Sequence, residues 1–88
     1  MKVWLVEEID SLGGNIDTDC KVFDSLEKAS AEMERLIDKN SSFIDDVQSM
    51  IDDGISDCTI KKTKTYFDAY DGINFDEVLI TITELEVL

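Results

Sequence analysis

The chain has 88 residues, 43% of them apolar, which suits a single domain built around one small hydrophobic core. Asp and Glu number 21 against eight Lys and Arg, and the formal net charge of −13 disfavours binding to nucleic acid or to anionic membranes. No histidine is present, which excludes catalytic and metal sites that depend on imidazole.

The first predicted elements are two strands. Lys2-Val3-Trp4-Leu5-Val6 is apolar at successive positions, which favours a central strand covered on both faces. Residues 11–15 contain two glycines and predict a turn or loop. A short second strand is expected over 21–23, paired with the first, and residues 17–19 (Asp-Thr-Asp) are expected in the connection.

A first helix is predicted over about residues 25–38. Asp24 or Ser25 can cap it, with Glu27 placed to return the capping bond. Apolar residues recur at helical spacing and form one buried stripe: Leu26, Ala29, Met33, Leu36 and Ile37.

A second helix is predicted over about residues 42–53. Ser42 followed by Asp45 resembles another capping box, and Gly54 is a typical helix stop. The apolar side of this helix consists of Phe43, Val47, Met50 and Ile51.

The rest of the chain is predicted to be β. Residues 58–67 and 76–88 are typical of strands, and residues 71–74 (Asp-Gly-Ile-Asn) are typical of a hairpin turn between them. Apolar residues change phase near Glu84, which indicates a bulge or burial on both faces. Tyr66, Phe67 and Tyr70 either pack across this hairpin or anchor an interface.

The predicted fold is α+β with the order ββααββ: one domain over residues 1–88, with a four-stranded, mostly antiparallel sheet and two helices on one face.

Carboxylates are segregated along the chain. Residues 40–60 contain five and residues 65–88 contain six, without a single Lys or Arg, and the basic residues Lys61, Lys62 and Lys64 lie between these segments. Acids in the last turn of a helix are opposed by the helix dipole, whereas Asp45 and Asp46 are expected in a first turn, where the dipole favours them. The candidate partner-binding residues are Glu34, Asp38, Asp45, Asp52, Asp53 and Asp57. The alternative is that acids at helix ends serve turns and that the acidity only maintains solubility.

No metal, cofactor or catalytic site is predicted. EF-hand registers that start at Asp10 and Asp38 lack the required glycine at position six and glutamate at position twelve. Among so many carboxylates, a glycosidase-like pair would arise by chance, and a chain of this size is a poor host for a sugar site. We therefore expect a binding protein and not an enzyme.

The cysteines and the N-terminal segment indicate a cytoplasmic protein. Cys20 and Cys58 are too few for a disulfide framework and form no CxxC motif, so we expect two reduced thiols that are at least half-buried. Residues 1–9 contain two glutamates and no extended apolar run, which argues against a signal peptide. No apolar run approaches the length of a membrane span.

The start of the first helix carries a resemblance. Val22-Phe23-Asp24-Ser25-Leu26-Glu27-Lys28-Ala29, which follows the N-terminal strand, resembles short acidic proteins of phages and mobile elements over residues 1–38. Such proteins include anti-CRISPR and anti-restriction inhibitors, several of which imitate nucleic acid. The resemblance implies a bacterial or bacteriophage setting, with the host cytoplasm as the location if the protein is phage-encoded, and it carries no catalytic residue with it.

Two functional hypotheses follow. The leading one is an inhibitor whose carboxylates imitate phosphates and engage the basic nucleic-acid-binding surface of a host nuclease. The alternative is a non-catalytic accessory or structural domain that acts through an apolar protein interface or through homodimerisation, with the last strand as an exposed sheet edge.

Overall fold

A five-stranded antiparallel sheet with two helices on one face forms the protein, in a computed structural model that describes all residues from 1 to 88. The elements in chain order are β1 (Lys2–Leu12), β2 (Asn15–Phe23), α1 (Leu26–Lys39), α2 (Ser41–Asp52), β3 (Cys58–Lys62), β4 (Tyr66–Asp71) and β5 (Asp76–Glu86). The strands lie side by side in the order β2-β1-β5-β4-β3. The predicted α+β class is confirmed, whereas the predicted number of strands is one too few.

The extra strand arises within the segment that was expected to form a single strand over residues 58–67. Residues 63–65 form a turn in which the backbone N–H of Thr63 donates to the carbonyl oxygen of Tyr66 at 2.7 Å. This turn separates β3 from β4, which then pair in antiparallel fashion. The threonine-rich sequence favours extended structure throughout and therefore hides the break.

β1 and β2 are both longer than their sequence suggests. Gly13 and Gly14 have φ values of 60° and 82° and form a two-residue turn, so pairing continues up to Leu12 opposite Asn15. Residues 17–19 consequently lie inside β2 and not in a connection. Their polar side chains are tolerated because β2 is an edge strand that is exposed along almost its whole length.

The hydrophobic core lies between the sheet and the helices. α1 packs on β1, β2 and β5, and α2 packs on β3 and β4. Because side chains alternate along a strand, one face of the sheet supplies the core residues Val6, Phe67, Ala69, Val78, Ile80 and Ile82. α1 adds Ala29, Met33 and Leu36. Neither helix is long and apolar enough to cross a membrane.

The other side of the sheet, called the open face below, carries no helix. Val3 and Leu5 of β1 point to this face and are only half-buried, so the expectation that β1 is covered on both faces is wrong. Phe67 packs in the core, whereas Tyr66 and Tyr70 lie half-buried on the open face. β1 nevertheless occupies a central position, between β2 and β5.

β5 departs from its expected form in two ways. Its pairing with β1 runs in continuous register from Glu77 to Glu86, so no bulge is present at Glu84. The apolar residues change phase because Leu85 lies on the open face opposite Val3. β5 also lies inside the sheet, so the suggestion that the last strand is an edge is wrong, and the edges are β2 and β3.

The two helices begin differently. Ser25 caps α1 and its hydroxyl accepts from the backbone N–H of Lys28 at 3.1 Å, as predicted. Glu27 is then only the second helical residue, one position too early to complete a capping box. α2 begins at Ser41 without a side-chain cap, so the second predicted capping box is wrong, and Gly54 ends this helix with φ at 85°.

The missing cap of α2 has a local cause. Asn40 ends α1 and directly precedes α2, and its side-chain amide donates to Glu8 Oε2 at 3.0 Å and to the carbonyl oxygen of Leu36 at 2.9 Å. This side chain is therefore oriented toward β1 and the end of α1, away from the N-terminus of α2. Because α2 starts earlier than predicted, Asp45 lies beyond its first turn, where the helix dipole gives it little support.

Candidate protein-binding surface

α2 presents its carboxylates to solvent because its apolar residues occupy the opposite side. Val47 is fully buried, flanked by half-buried aliphatic and aromatic side chains that face the sheet. At 3.6 residues per turn, the outward positions fall to serines, Gln48 and the aspartates, and all the aspartates are exposed. These aspartates and Asp57, which is exposed in the following loop, are called the α2 acidic surface below. Its members are Asp45, Asp46, Asp52, Asp53 and Asp57.

The aspartates of α2 form two rows. Asp45 and Asp52 are seven residues apart, so they lie on nearly the same line along the helix, separated by about 10.5 Å of rise. Asp46 and Asp53 form a second, neighbouring row with the same spacing. A 12-residue helix spans about 18 Å, and one strand of B-form DNA carries roughly five phosphates over that length. α2 itself carries three aspartates over this length and Asp53 at its C-terminal cap adds a fourth, so the density of negative charge on α2 is somewhat below that of one DNA strand.

Most basic residues of the protein form ion pairs outside the α2 acidic surface. Six of the eight Lys and Arg form ion pairs, all with acids outside the α2 acidic surface: Lys2–Glu84, Lys21–Glu32, Lys28–Asp24, Arg35–Glu32, Lys39–Glu8 and Lys62–Glu34. The side-chain hydrogen bond at this surface has an uncharged donor, because the amide Nε2 of Gln48 donates to Asp52 Oδ1 at 2.9 Å. No Lys or Arg therefore forms an ion pair with the α2 acidic surface.

The other two candidate residues lie on α1. Glu34 pairs with Lys62 of β3 at 3.0 Å, so a cation already neutralises it. Asp38 is exposed in the last turn of α1, which also contains Lys39. The six candidates are thus divided between a base-free group on and after α2 and a pair on α1 among basic neighbours.

The groove beside Glu34 is the concave feature of the molecule. It has a volume of about 390 Å³ and lies between α1 and the turn that joins β3 to β4. Lys62 and Lys64 line it together with Leu26 and Met33. The groove thus carries the basic cluster of the chain, in contrast to the α2 acidic surface.

A carboxyl pair on the open face has no counterpart in the sequence-based expectations. Asp68 is only 8% exposed, and its Oδ1 has no hydrogen-bond partner. A hydrogen bond with Asp68, burial, and the charge of Asp68 together raise the pKa of Glu77 to about 7. The pKa of Glu77 therefore lies close to neutral pH, and its protonated form can donate a hydrogen bond to Asp68. Sequence alone could identify this pair only after the register of β4 and β5 is known.

A second carboxyl pair lies on the helix face of β1. Glu8 is 3% exposed and accepts from Lys39 Nζ at 2.8 Å and from Asn40 Nδ2 at 3.0 Å. Burial and the neighbouring Glu8 raise the pKa of Asp10 to about 6. This arrangement anchors the end of α1 to the sheet and explains how two acids occupy inward positions of a strand.

The cysteines are far apart. Cys20 is exposed on β2 and Cys58 is buried on β3, so the expectation that both thiols are at least half-buried is wrong for Cys20. Their strands are the two edges of the sheet, four strand spacings or about 19 Å apart. No group of three or more Cys, Asp or Glu is arranged to hold a metal ion.

Comparison with protein-family models, with curated proteins and with solved structures finds no match to this chain. Its function is therefore inferred from its own surfaces. Among these, the α2 acidic surface combines full exposure, high charge density and the absence of paired cations.

Proposed function

We infer that this protein is a non-catalytic binding protein whose α2 acidic surface engages a basic protein surface. The observation that carries this proposal is the division of charge: most basic residues pair with acids elsewhere, while the carboxylates of α2 and the following loop have no cationic partner. Keeping like charges together destabilises a folded chain, so a surface of this kind is best explained by a partner that neutralises it.

The specific form of the proposal is an inhibitor of the phage type, acting in the host cytoplasm on a nuclease of a defence system. α2 and its C-terminal cap carry four aspartates, against roughly five phosphates on one DNA strand of the length of α2, and a row of carboxylates of this kind suits the basic groove of such an enzyme. Asp52 and Asp53 support this form because they lie at the C-terminal end of α2, where the helix dipole disfavours them.

The test uses the full chain as bait in a bacterial lysate and compares it with two double variants. D52N/D53N removes two charges from the α2 acidic surface, and E84Q/E86Q removes two charges from the end of β5. We expect a captured nuclease to bind D52N/D53N at least about tenfold more weakly and to bind E84Q/E86Q as it binds the wild-type chain.

The effects of salt and of competing DNA on binding test whether the contact is electrostatic and whether it occupies the DNA-binding site of the nuclease. Binding of the purified nuclease should fall steeply between about 50 mM and about 500 mM NaCl, because the contact is electrostatic. A duplex oligonucleotide should compete with the protein for the nuclease. Equal affinity for wild type and D52N/D53N, or affinity that does not change with salt, would contradict the proposal.

A further inference from the structure

The two edges of the sheet differ in how well they are protected against pairing with another strand. β3 has five residues and carries Lys61 and Lys62, with Lys64 just beyond it, and short basic strands are a usual protection of edges. β2 has nine residues, is paired with β1 in unbroken register, and contains neither a proline nor a bulge. β2 is therefore a long, straight edge with a free row of backbone donors and acceptors.

The sequence of β2 is complementary to itself in antiparallel orientation. When the two-fold axis passes through Asp19, all nine residues overlap and Asp17 of each copy lies opposite Lys21 of the other. On the open face, Ile16 lies opposite Val22 of the second copy in the same way. Ile16 and Val22 are 72% and 60% exposed in the single chain, so the pairing would cover two exposed aliphatic side chains in each copy.

Neighbouring registers are poorer. Side chains of paired strands must lie on the same face, so the axis can move only to Thr18 or to Cys20. The register centred on Thr18 places Asp17 opposite Asp19 twice, which is repulsive. The register centred on Cys20 also forms two opposite-charge contacts, between Asp19 and Lys21, but it shortens the overlap to residues 17–23 and loses both contacts between Ile16 and Val22.

The register centred on Asp19 has one like-charge contact, between the two Asp19 carboxylates at the axis. Arg35 of the same copy offsets it, because its guanidinium lies close enough for the charge of Asp19 to help raise its pKa. Lys21 already pairs with Glu32 at 3.1 Å, and its ammonium group has further donors for Asp17 of the second copy.

We propose that two copies of this chain pair through β2, antiparallel and centred on Asp19, so that their two sheets become continuous. This inference goes beyond the proposed function and does not depend on it. α2 packs on β3 and β4, at the far side of the sheet from β2, so both α2 acidic surfaces stay free in the dimer. A dimer of this kind presents two acidic surfaces, which strengthens binding to any target with two basic sites.

Exchanging the two charged residues tests the proposed contact between Asp17 and Lys21. Sedimentation velocity of the full chain should show a dimer that D17K and K21D each weaken at least about tenfold, because each variant places like charges opposite each other. The double variant D17K/K21D should restore dimerisation to within about threefold of wild type. D52N/D53N should dimerise like wild type, which separates this result from any failure of the α2 acidic surface to bind a nuclease.

The register is tested by cysteine cross-linking, which does not depend on the charged residues. In the proposed register, Cys20 lies opposite Thr18 of the second copy, with facing Cα atoms about 5 Å apart. A mixture of wild type and T18C/C20S should therefore form a covalent dimer under mild oxidation, whereas either protein alone should not. A wild-type chain that stays monomeric up to about 1 mM, a double variant that fails to restore the dimer, or rapid cross-linking of wild type alone would each overturn the proposal.

Discussion

At the scale of single residues, the raised pKa of Glu77 beside Asp68 makes stability depend on pH. The pKa of Glu77 rises from 4.5 to about 7 on folding, so the folded chain holds the proton more tightly than the unfolded chain does. The contribution to stability is therefore greatest below about pH 4.5 and is lost as the pH rises toward about 7. We expect E77Q to be more stable than wild type at pH 8, measured by urea unfolding, because its amide can also donate to Asp68.

The matched control is E84Q, which makes the same change on the same strand at an exposed position. E84Q should keep the wild-type slope of unfolding free energy against pH between about 4.5 and 7, whereas E77Q should flatten it. An identical slope in wild type and E77Q would show that the pKa of Glu77 is not raised in the folded chain.

Asp71 organises the turn between β4 and β5. It is 3% exposed, and its carboxylate accepts from the backbone N–H groups of Ile73 at 2.9 Å and Asn74 at 3.2 Å, and from Asn74 Nδ2 at 2.8 Å. Burial opposes ionisation, but these hydrogen bonds hold the pKa of Asp71 below its usual range. We expect D71A to lower the free energy of unfolding by about 2 kcal/mol or more at neutral pH, because three donors lose their acceptor.

The pH dependence of Asp71 has the opposite sign to that of Glu77. A lowered pKa in the folded state stabilises the chain above the ordinary pKa of Asp, and this stabilisation is lost as the pH falls through the lowered value. The difference between wild type and D71A in urea unfolding should therefore shrink in acid. A difference that stays constant down to the acid limit would mean that the turn does not depend on the ionised carboxylate.

At the scale of elements, the two helix starts give a direct comparison. Ser25 caps α1 with a hydrogen bond, whereas Ser42 lies within α2 and makes no capping bond. S25A should therefore lower the free energy of unfolding by about 1 kcal/mol, and S42A should change it by a few tenths at most. The measurement is urea unfolding of both variants under the same conditions, and equal losses would contradict the assignment of the cap.

The helices could be predicted from the sequence and β2 could not, for a physical reason. Helices α1 and α2 each pack one side on the sheet, so their apolar residues must recur at the helical period. β2 is an edge with almost no buried residue, and nothing imposes an alternating pattern on it. β1 extends beyond its predicted end because Glu8 and Asp10 occupy inward positions, and the hydrogen bonds from Lys39 and Asn40 that stabilise Glu8 there come from the distant end of α1.

The candidate binding residues could also be predicted from the sequence only in part. The absence of bases near α2 is visible in the sequence, and the exposure of its aspartates follows from the helical period. The pairing of Glu34 with Lys62 joins residues 28 positions apart and depends on the tertiary arrangement of α1 relative to β3. Sequence therefore identified the base-free group but could not tell which acids are neutralised by tertiary contacts.

At the scale of the whole molecule, the position of each charge should matter more than the total of −13. D52N/D53N and E34Q/E84Q both change the net charge from −13 to −11, but the first removes unpaired acids and the second removes acids that pair with Lys62 and Lys2. At about 20 mM salt, we expect D52N/D53N to be more stable than wild type, by about 0.3–1 kcal/mol for each site, because it relieves repulsion and an unfavourable helix dipole.

E34Q/E84Q should be no more stable than wild type, because exposed ion pairs contribute little and their loss offsets the relief of repulsion. Raising NaCl to about 300 mM shortens the Debye length to about 6 Å and should stabilise the wild-type chain more than D52N/D53N. Urea unfolding of the three proteins at both salt concentrations measures this. Equal stabilisation of the two variants at low salt would mean that only the net charge affects the free energy of unfolding. Repulsion within the α2 acidic surface would then be no greater than in the rest of the molecule.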